Sequence, residues 1–394
     1  MQLFYFLVGF YLNNYKKQPF IPAIQKTSTL VWLSILALLC FIITINYKVI
    51  EKSNSYDQKI IAANLMNDAM QILKNQRMEK GVFVDIENDP NETGLVGSPF
   101  SLITTDEGDL DSKLTTLDPN FSAVIVDLMV QINLKSNDTV AVLMTGSMPG
   151  ANLAVLSACQ AMGITPVIIS SLGASQWGAN HTDFTWLDME YTLVDNGLYI
   201  SKSIAASIGG RNDMGRLLSP AGRKIITDNI SSYGIPLIKN KKLAENISTR
   251  LNIFSSYLPI ENYKAVINVG GGVASLGTSF NSKLLPPGIV NRSDLMNISR
   301  PGGIEGVFSK FINSGVHGLH ILNIKPLTEQ FKIPFAPIPI PEIGDGSLYK
   351  KEHYSLLVAS ICMLIVSGSV LIVGVKSKKN IKQHLIQHEP DSLL

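Results

Sequence analysis

Two apolar runs that contain no charged residue bracket the chain and constrain what it can fold into. They are Leu30–Tyr47 and Tyr354–Val375, and each is long enough to cross the roughly 30 Å hydrocarbon core of a bilayer as a helix. Most other residues lie between them. The sequence therefore predicts transmembrane helices at 30–47 and 354–375, joined by one large domain at residues 48–353.

Lysines beside the second run indicate the side of the membrane that this domain occupies. They are Lys376, Lys378, Lys379 and Lys382 after the run, and Lys350 and Lys351 before it. Basic residues favour the cytoplasmic side, so the basic tail at 376–394 is predicted to be cytoplasmic. Two spans place the N-terminal segment 1–29 on the same side, which makes the middle domain extracytoplasmic. The apolar stretch Met1–Leu12 is too short to span and is predicted to be an interfacial segment or an overlong start.

Composition excludes some classes of partner and of fold stabilisation. The formal net charge of the chain is only +2, so no broad basic field exists to hold nucleic acid. Of the three cysteines, Cys40 and Cys362 lie in the apolar runs. Cys159 therefore has no partner for a disulfide within the domain. We expect the domain to depend on its hydrophobic core, with Cys159 as a buried thiol.

Apolar periodicity in the middle domain predicts alternating helices and strands. The first pattern, Ile60–Met78, is helical and predicts a stalk or packed helix within residues 60–87. The remaining predicted elements are strands Thr139–Met144, Thr165–Ser170, Pro236–Ile238, Tyr263–Val269 and His320–Ile324, and helices starting at Asp118-Pro119 and spanning Ala151–Met162, Ala221–Ser232, Lys242–Leu258 and Gly303–Asn313. This order predicts an α/β fold, a doubly wound and mainly parallel sheet. A proline-rich strap at 334–345 leads back to the second span.

The first candidate site is the turn Thr145–Gly150, which joins a predicted strand to a predicted helix. Ligands of open parallel sheets collect at the carboxyl ends of the strands. Gly146 and Gly150 flank Ser147 there, and the helix start favours an anion. Ser147 could contact a bound carboxylate or phosphate, act as a nucleophile, or only cap the helix.

A second candidate anion site follows the strand that ends at Val269. Gly270, Gly271 and Gly272 let the backbone approach an anion closely, and Ser275 follows them. The segment lacks both the dinucleotide fingerprint and the Lys-Ser/Thr of a P-loop. We therefore expect a carboxylate rather than a nucleotide, and the sequence predicts no cofactor.

Three further residues are candidates for ligand binding. Trp177 and Asn180 lie in a loop of small residues after a predicted strand, where they could line a pocket or form an aromatic cap on the sheet. Arg211 could grip a carboxylate bidentately or belong to a solvated helix start. A metal site is not predicted, because His317 and His320 lack the acidic residue of zincin motifs.

A catalytic alternative uses Ser147, Asp188 and His320. These residues stand in the chain order Ser, Asp, His that some hydrolases use. The nucleophile-elbow pattern around the serine is absent, since Ser147 follows Thr-Gly and precedes Met-Pro-Gly. The three residues are therefore candidates only for nucleophile, orienting acid and base.

Taken together, the motifs resemble those of the membrane-anchored poly-gamma-glutamate system protein family of bacteria. The motifs are Thr93-Gly94-Leu95-Val96-Gly97, Ile103-Thr104-Thr105, Asp118-Pro119-Asn120-Phe121, Gly146-Ser147-Met148-Pro149-Gly150, Gly173-Ala174-Ser175, Trp177-Gly178-Ala179-Asn180, Thr185-Trp186-Leu187-Asp188-Met189-Glu190, Val269-Gly270-Gly271-Gly272 and Ala274-Ser275-Leu276-Gly277. The resemblance covers residues 60 to 345. Asp106-Glu107 and Ser112-Lys113-Leu114 depart from the uncharged, Thr-rich pattern expected there.

The resemblance implies a process rather than a reaction. It implies an accessory component of poly-gamma-glutamate synthesis, export or retention, in the cytoplasmic membrane of a bacterium. The implied partners are the polymer, the membrane-bound synthase subunits and the membrane itself. The catalytic alternative is an extracytoplasmic hydrolase or transferase that acts on gamma-glutamyl amides through Ser147.

Overall fold

The computed structural model describes residues 20–298 and 303–387, so the apolar stretch Met1–Leu12 lies outside the described residues. The chain divides into two compact units. One contains the residues up to Glu51 and those from Glu352 onwards, and the other is Lys52–Lys351.

The secondary structure alternates along most of the second unit. The helices are α1 (Thr27–Asn46), α2 (Tyr56–Glu79), α3 (Leu110–Thr116), α4 (Asn120–Gln131), α5 (Pro149–Met162), α6 (Trp186–Asp195), α7 (Pro220–Ser232), α8 (Leu243–Tyr257), α9 (Val273–Leu276), α10 (Asn281–Leu284), α11 (Arg292–Ile298), α12 (Val307–Asn313), α13 (Ile324–Phe331) and α14 (Leu356–Gln387). The strands are β1 (Lys48–Lys52), β2 (Thr139–Thr145), β3 (Thr165–Ser171), β4 (Asn180–His181), β5 (Phe184–Thr185), β6 (Ser203–Ser207), β7 (Leu237–Ile238), β8 (Ala265–Val269), β9 (Gly288–Val290), β10 (His317–Ile321) and β11 (Lys350–Tyr354).

The terminal unit contains α1 and α14, which pack against each other. Within the described residues these two helices are long and apolar enough to cross a membrane. Helix α14 continues beyond the apolar run, through the lysines that follow Val375, to Gln387. Strands β1 and β11 pair as a separate two-stranded sheet.

Seven of the described strands form the central sheet of the second unit, in the order β7-β6-β3-β2-β8-β10-β9. All neighbouring pairs are parallel except β9, which runs antiparallel to β10 at one edge. The predicted α/β class with a mainly parallel sheet is confirmed.

Helices cover both faces of this sheet. On β2, Val140 and Val142 belong to one core with residues of α2, α4 and α5. Ala141 and Leu143 belong to the opposite core, with residues of α8 and α12. Successive side chains of a strand point to opposite faces, so a strand covered on both sides is a continuous apolar run. This explains why the strand at 139–145 is prominent in the sequence.

The sequence placed some elements imperfectly. It predicted a strand at His320–Ile324, whereas β10 is His317–Ile321 and Ile324 begins α13. Apolar residues continue from the strand into the helix, so periodicity does not mark the boundary. The predicted helix Gly303–Asn313 begins at Val307, after Gly306.

Candidate functional site

A cleft of about 1450 Å³ opens at the carboxyl edge of the central sheet. Its lining includes the last residues of β2 and β3, the residues directly after β8 and β10, and the loop after β6; these residues are Thr145, Ser171, Gly270, Leu322 and Gly209. The chain passes outwards from β2 through β3, β6 and β7, then returns to the other side of β2 as β8. Strands β2 and β8 therefore flank the topological switch point, where open α/β sheets bind ligands.

The turn after β2 places Ser147 in the cleft wall. Its two glycines lie behind that wall and allow the backbone to pack closely. A Cβ atom on Gly146 would lie 2.5 Å from the carbonyl oxygen of Leu172, and one on Gly150 would lie 2.4 Å from that of Thr116. These two glycines are required by packing, whereas Thr145, Ser147 and Met148 of the turn line the cleft.

Ser147 is joined to a second serine and to a lysine. Its Oγ accepts a hydrogen bond from the backbone N–H of Ser175, at 2.9 Å. Its carbonyl oxygen accepts one from Nζ of Lys113. The same Nζ lies 3.0 Å from Oγ of Ser175 and 3.2 Å from Sδ of Met148. Ser147, Ser175 and Lys113 all border the cleft.

Lys113 is only 4% exposed. No carboxylate of the described residues forms an ion pair with it. Asp109, one turn earlier, caps α3 by accepting from the backbone N–H of Ser112. Burial lowers the pKa of Lys113 to about 8, and the nearby charge of Asp109 opposes this only in part. The amine is therefore much closer to deprotonation at neutral pH than an ordinary lysine.

The loop after β6 forms another wall of the cleft around a buried ion pair. Asp213 lies on this loop with φ +61°. Its two carboxylate oxygens lie 2.6 and 3.0 Å from the guanidinium of Arg250 on α8. Arg250 also donates to Oγ of Ser207, at 2.6 Å. The ion pair between Asp213 and Arg250 fixes this loop. Arg211 lies on the same loop, where it is exposed and lines the cleft.

The glycine turn after β8 is the third wall. Gly270 has φ +86°, and a Cβ there would lie 2.3 Å from Oγ1 of Thr145. Any other residue would clash across the switch point, so Gly270 is required by the approach of two strands. Gly271 and Gly272 line the cleft beside it. Oγ1 of Thr145 is buried and has no hydrogen-bond partner among the described residues.

Ser275 lies beneath this turn and not in the cleft. Its hydroxyl donates to Oδ1 of Asn268, and Nδ2 of Asn268 lies 2.8 Å from the carbonyl oxygen of Gly270 and 2.9 Å from Nδ1 of His320. This buried network supports the glycine turn.

The hypothetical triad is not joined by hydrogen bonds. Ser147 lines the cleft, but Asp188 and His320 are absent from its lining. Asp188 caps α6 through the backbone N–H of Thr185 and accepts from the hydroxyl of Tyr233 at 2.6 Å.

His320 has no ring nitrogen that is free to act as a base. The side-chain amide of Asn268 donates a hydrogen bond to Nδ1 of His320. This hydrogen bond assigns the ring proton to Nε2. Nε2 has no partner within the described residues. Burial lowers the pKa of this imidazole to about 4, so it is neutral.

Trp177 and Asn180 lie outside the cleft lining. Asn180 is fully buried, accepts from the backbone N–H of Ser98 and donates to the carbonyl oxygen of the same residue. It fixes the segment 98–105 to the loop after β3. Trp177 has φ +63° and packs at the edge of the main core.

Charged side chains of both signs line the cleft. The basic residues are Lys113, Arg211, Lys283 and Lys325, and the acidic residues are Asp106, Glu107, Asp109 and Asp213. Arg211, Lys283 and Lys325 are exposed and form no ion pair with any described residue. The described residues contain no group of three or more His, Cys, Asp or Glu that could hold a metal ion.

Comparisons of the chain with family models, with curated proteins and with solved structures found no match.

Sequence reasoning did not select three residues that shape this site: Lys113, Ser175 and Arg250. Lys113 was visible only as a charge in a segment where an uncharged pattern was expected, and Ser175 only as part of a motif. Arg250 lies in a helical pattern without a local acidic partner. Each acquires its role through contacts with residues distant along the chain, for which a single sequence carries no direct signal.

Proposed function

We propose that the protein is a membrane-anchored accessory component of poly-gamma-glutamate synthesis, export or retention, and that its cleft binds the polymer. The support consists of the sequence resemblance, the two helices that are apolar enough to cross a membrane and the cationic groups of the cleft. In this proposal the terminal helices span the cytoplasmic membrane of a bacterium, with both tails in the cytoplasm and the α/β domain outside.

The observation that carries the proposal is the presence around one cleft of three exposed cations that form no ion pair with a described residue. Arg211 follows β6, Lys283 lies on α10, and Lys325 lies on α13. They lie on segments from both sides of the switch point, so they could contact successive groups of an extended ligand. A gamma-linked glutamate polymer presents one carboxylate per residue, and guanidinium and ammonium groups pair with carboxylates.

The acidic residues of the cleft limit how the polymer is held. Asp106, Glu107 and Asp109 are exposed on the segment that precedes α3. Because the lining has no excess charge, the attraction depends on local pairs rather than on a long-range field. We therefore expect added salt to weaken binding only modestly. A synthase subunit that carries the growing chain is the alternative partner for the same face.

The test measures binding of fluorescent poly-gamma-glutamate to the full-length protein in detergent micelles. Replacing Arg211, Lys283 and Lys325 together with Ala removes the three contacts, and we expect the Kd to rise ~10-fold, since three exposed ion pairs at about 0.5 kcal/mol each sum to about 1.5 kcal/mol. Lys264→Ala is the matched control, because Lys264 is exposed and directly precedes β8, at the opposite edge of the sheet. Equal affinity of the triple variant and the wild type would contradict the proposal.

Orientation requires a separate test. A reporter that is active only in the cytoplasm, fused after Leu394, should be active. A reporter that is active only outside the cytoplasm should give a signal when it is inserted in the exposed turn at Gly234. The opposite pattern would place the cleft in the cytoplasm and would remove the polymer outside the cell as its ligand.

A further inference from the structure

The polymer-binding proposal leaves one feature of the cleft unexplained, which is the buried amine of Lys113. An isolated ammonium group is costly to bury unless it is paired or loses its proton. The described residues give Lys113 no carboxylate partner, although Asp109 lies only one turn away and is exposed. A structural lysine would gain by turning towards solvent, as long side chains at surfaces do.

The three groups around Nζ can accept the N–H groups of an ammonium, and they also fit a neutral amine. A neutral amine has two N–H donors and one lone pair. The carbonyl oxygen of Ser147 and Sδ of Met148 can accept the two N–H groups. The remaining neighbour is Oγ of Ser175, at 3.0 Å, and its hydroxyl can donate to the lone pair. A serine that donates to an unprotonated lysine has the arrangement of an activated nucleophile.

We propose that Ser175 and Lys113 form a serine–lysine catalytic pair that performs acyl transfer in the cleft. The class of substrate rests on the proposed function: if the cleft holds poly-gamma-glutamate, the bond attacked is a gamma-glutamyl amide. The pair itself is inferred from geometry alone. It replaces Ser147 with Ser175 as the nucleophile and assigns the role of base to Lys113 instead of His320.

The reaction balances with water as the second reactant. Lys113 takes the proton of the Ser175 hydroxyl, and Oγ forms a bond to the carbonyl carbon of the amide. The C–N bond then breaks, and the leaving nitrogen takes the proton from Lys113. Water next gives a proton to Lys113 and attacks the acyl carbon. The bond to Oγ breaks, and Lys113 returns the proton to Ser175. An amine in place of water gives transfer rather than hydrolysis.

Ser147 is a positioning residue in this arrangement. Its Oγ accepts the backbone N–H of Ser175, and its carbonyl oxygen holds Lys113. Both contacts come from a turn whose backbone is packed against the loop after β3, where Ala179 donates to the carbonyl oxygen of Gly146 at 2.7 Å. The nucleophile and the base are thereby held in one geometry by a rigid part of the fold.

The pH dependence follows from the surroundings of Lys113. Asp109 on α3 is the charged group that acts on it, whereas Ser147, Met148 and Ser175 contribute no charge. With a pKa of about 8, roughly a tenth of the molecules hold the amine neutral at pH 7, and most do above pH 8. The rate of acylation should therefore rise with pH and level off above about pH 8.

The test uses a fluorophosphonate probe, which reacts covalently with activated serines, on the full-length protein in detergent micelles. We expect labelling that peptide mass mapping places on Ser175. Lys113→Met should lower the labelling rate at least ~100-fold, the usual contribution of a general base. Lys113→Arg should also abolish the pH-dependent rise, because arginine stays protonated. Lys264→Met, at the opposite edge of the sheet, should label like the wild type.

Three outcomes would overturn the pair: no labelling of the folded wild type, labelling of Ser147 instead of Ser175, or an unchanged rate in Lys113→Met. The site mapping and the pH profile use the wild type, so they remain decisive even if a variant does not fold. The probe contains no glutamate, which separates this result from polymer binding. Labelled Ser175 without shortening of poly-gamma-glutamate would keep the pair and reject the polymer as its substrate.

Discussion

Two buried cations differ in how their charges are balanced: Lys113 lines the cleft, and Arg250 pairs with Asp213, which lines it too. Arg250 is 2% exposed and grips both oxygens of Asp213, with a further hydrogen bond to Ser207. Lys113 is similarly buried, but its neighbours are a carbonyl oxygen, a thioether and a hydroxyl. A paired buried charge keeps its usual protonation state, whereas an unpaired one shifts its pKa towards the neutral form.

This difference separates a structural role from a chemical one. The Arg250 pair fixes the loop after β6, and each charge is balanced by the other. Lys113 remains able to gain and lose a proton beside a serine at the edge of a large cleft. Perturbed pKa values cluster at functional sites because chemistry needs groups that titrate near the working pH.

Breaking the paired cation should have the largest effect. Arg250→Met leaves the carboxylate of Asp213 buried with hydroxyl donors but without a cation, so we expect the free energy of unfolding to fall by about 3–5 kcal/mol. Chemical denaturation of the detergent-solubilised chain measures this. Adding Asp213→Leu to the same variant should recover much of the loss, because it removes the orphaned charge. A loss below about 1 kcal/mol in the single variant would show that the pair is not structural.

Replacing the buried acid Glu190, which forms no ion pair with a described residue, should have an intermediate effect on stability. Glu190 is 1% exposed and accepts the backbone N–H and hydroxyl of Ser203; burial raises its pKa to about 7 from 4.5. A raised folded-state pKa gives stability that is present below pH 4.5 and is lost as pH rises to 7.

Glu190→Gln should therefore flatten the decline in stability between pH 4.5 and 7 by about 2–3 kcal/mol. Denaturation curves of the wild type and the variant at both pH values measure it. Burial also raises the pKa of Asp118 to about 6, and this titration cancels because both proteins contain Asp118. Parallel pH profiles of the two proteins would contradict the assignment.

Removing the unpaired cation should have the smallest effect on stability. Lys113→Met removes the cost of burying an amine but leaves the carbonyl oxygen of Ser147 without a donor, so we expect a net change within about 1 kcal/mol at pH 7. Because the folded-state pKa of about 8 lies below the ordinary 10.5, lysine destabilises the fold below pH 8 and this penalty fades as pH rises to 10.5.

The difference in the free energy of unfolding between Lys113→Met and the wild type should therefore shift towards the wild type between pH 8 and 10.5. Thermal denaturation of both proteins at the two pH values measures this shift. Arg250→Met measured in the same series is the paired reference and should show no such trend. A loss of several kcal/mol in Lys113→Met would indicate that the lysine is structural, and the contrast between the two cations would disappear.

Part of the site was predictable from the chain. Parallel strands end at one edge of a sheet, so the turns after Met144 and Val269 were expected to meet, and both line the cleft. The predicted roles of Gly146 and Gly150 as ligand contacts were less accurate, because packing against Leu172 and Thr116 places them behind the wall. A glycine that the backbone needs and a glycine that a ligand needs have the same sequence signature.

The catalytic hypothesis shows where sequence order misleads. Ser147, Asp188 and His320 occur in a suggestive order, yet Asp188 caps a helix and His320 is the fourth of the five residues of β10, where it is fully buried. The strand boundary was misplaced by three residues, since the predicted strand began at His320 and β10 begins at His317. That error moved His320 from the covered interior of the sheet to its edge.

The sequence by itself determined the two apolar terminal helices, the α/β alternation and the strand-to-helix turns, because each follows from local composition and from the periodicity of neighbouring residues. Only the tertiary structure decided the environment of Lys113 and Arg250. Their partners Ser175 and Asp213 lie 62 and 37 residues away along the chain. The protonation state of a buried amine depends on desolvation and on such distant neighbours, which exist only once the sheet and its loops have assembled.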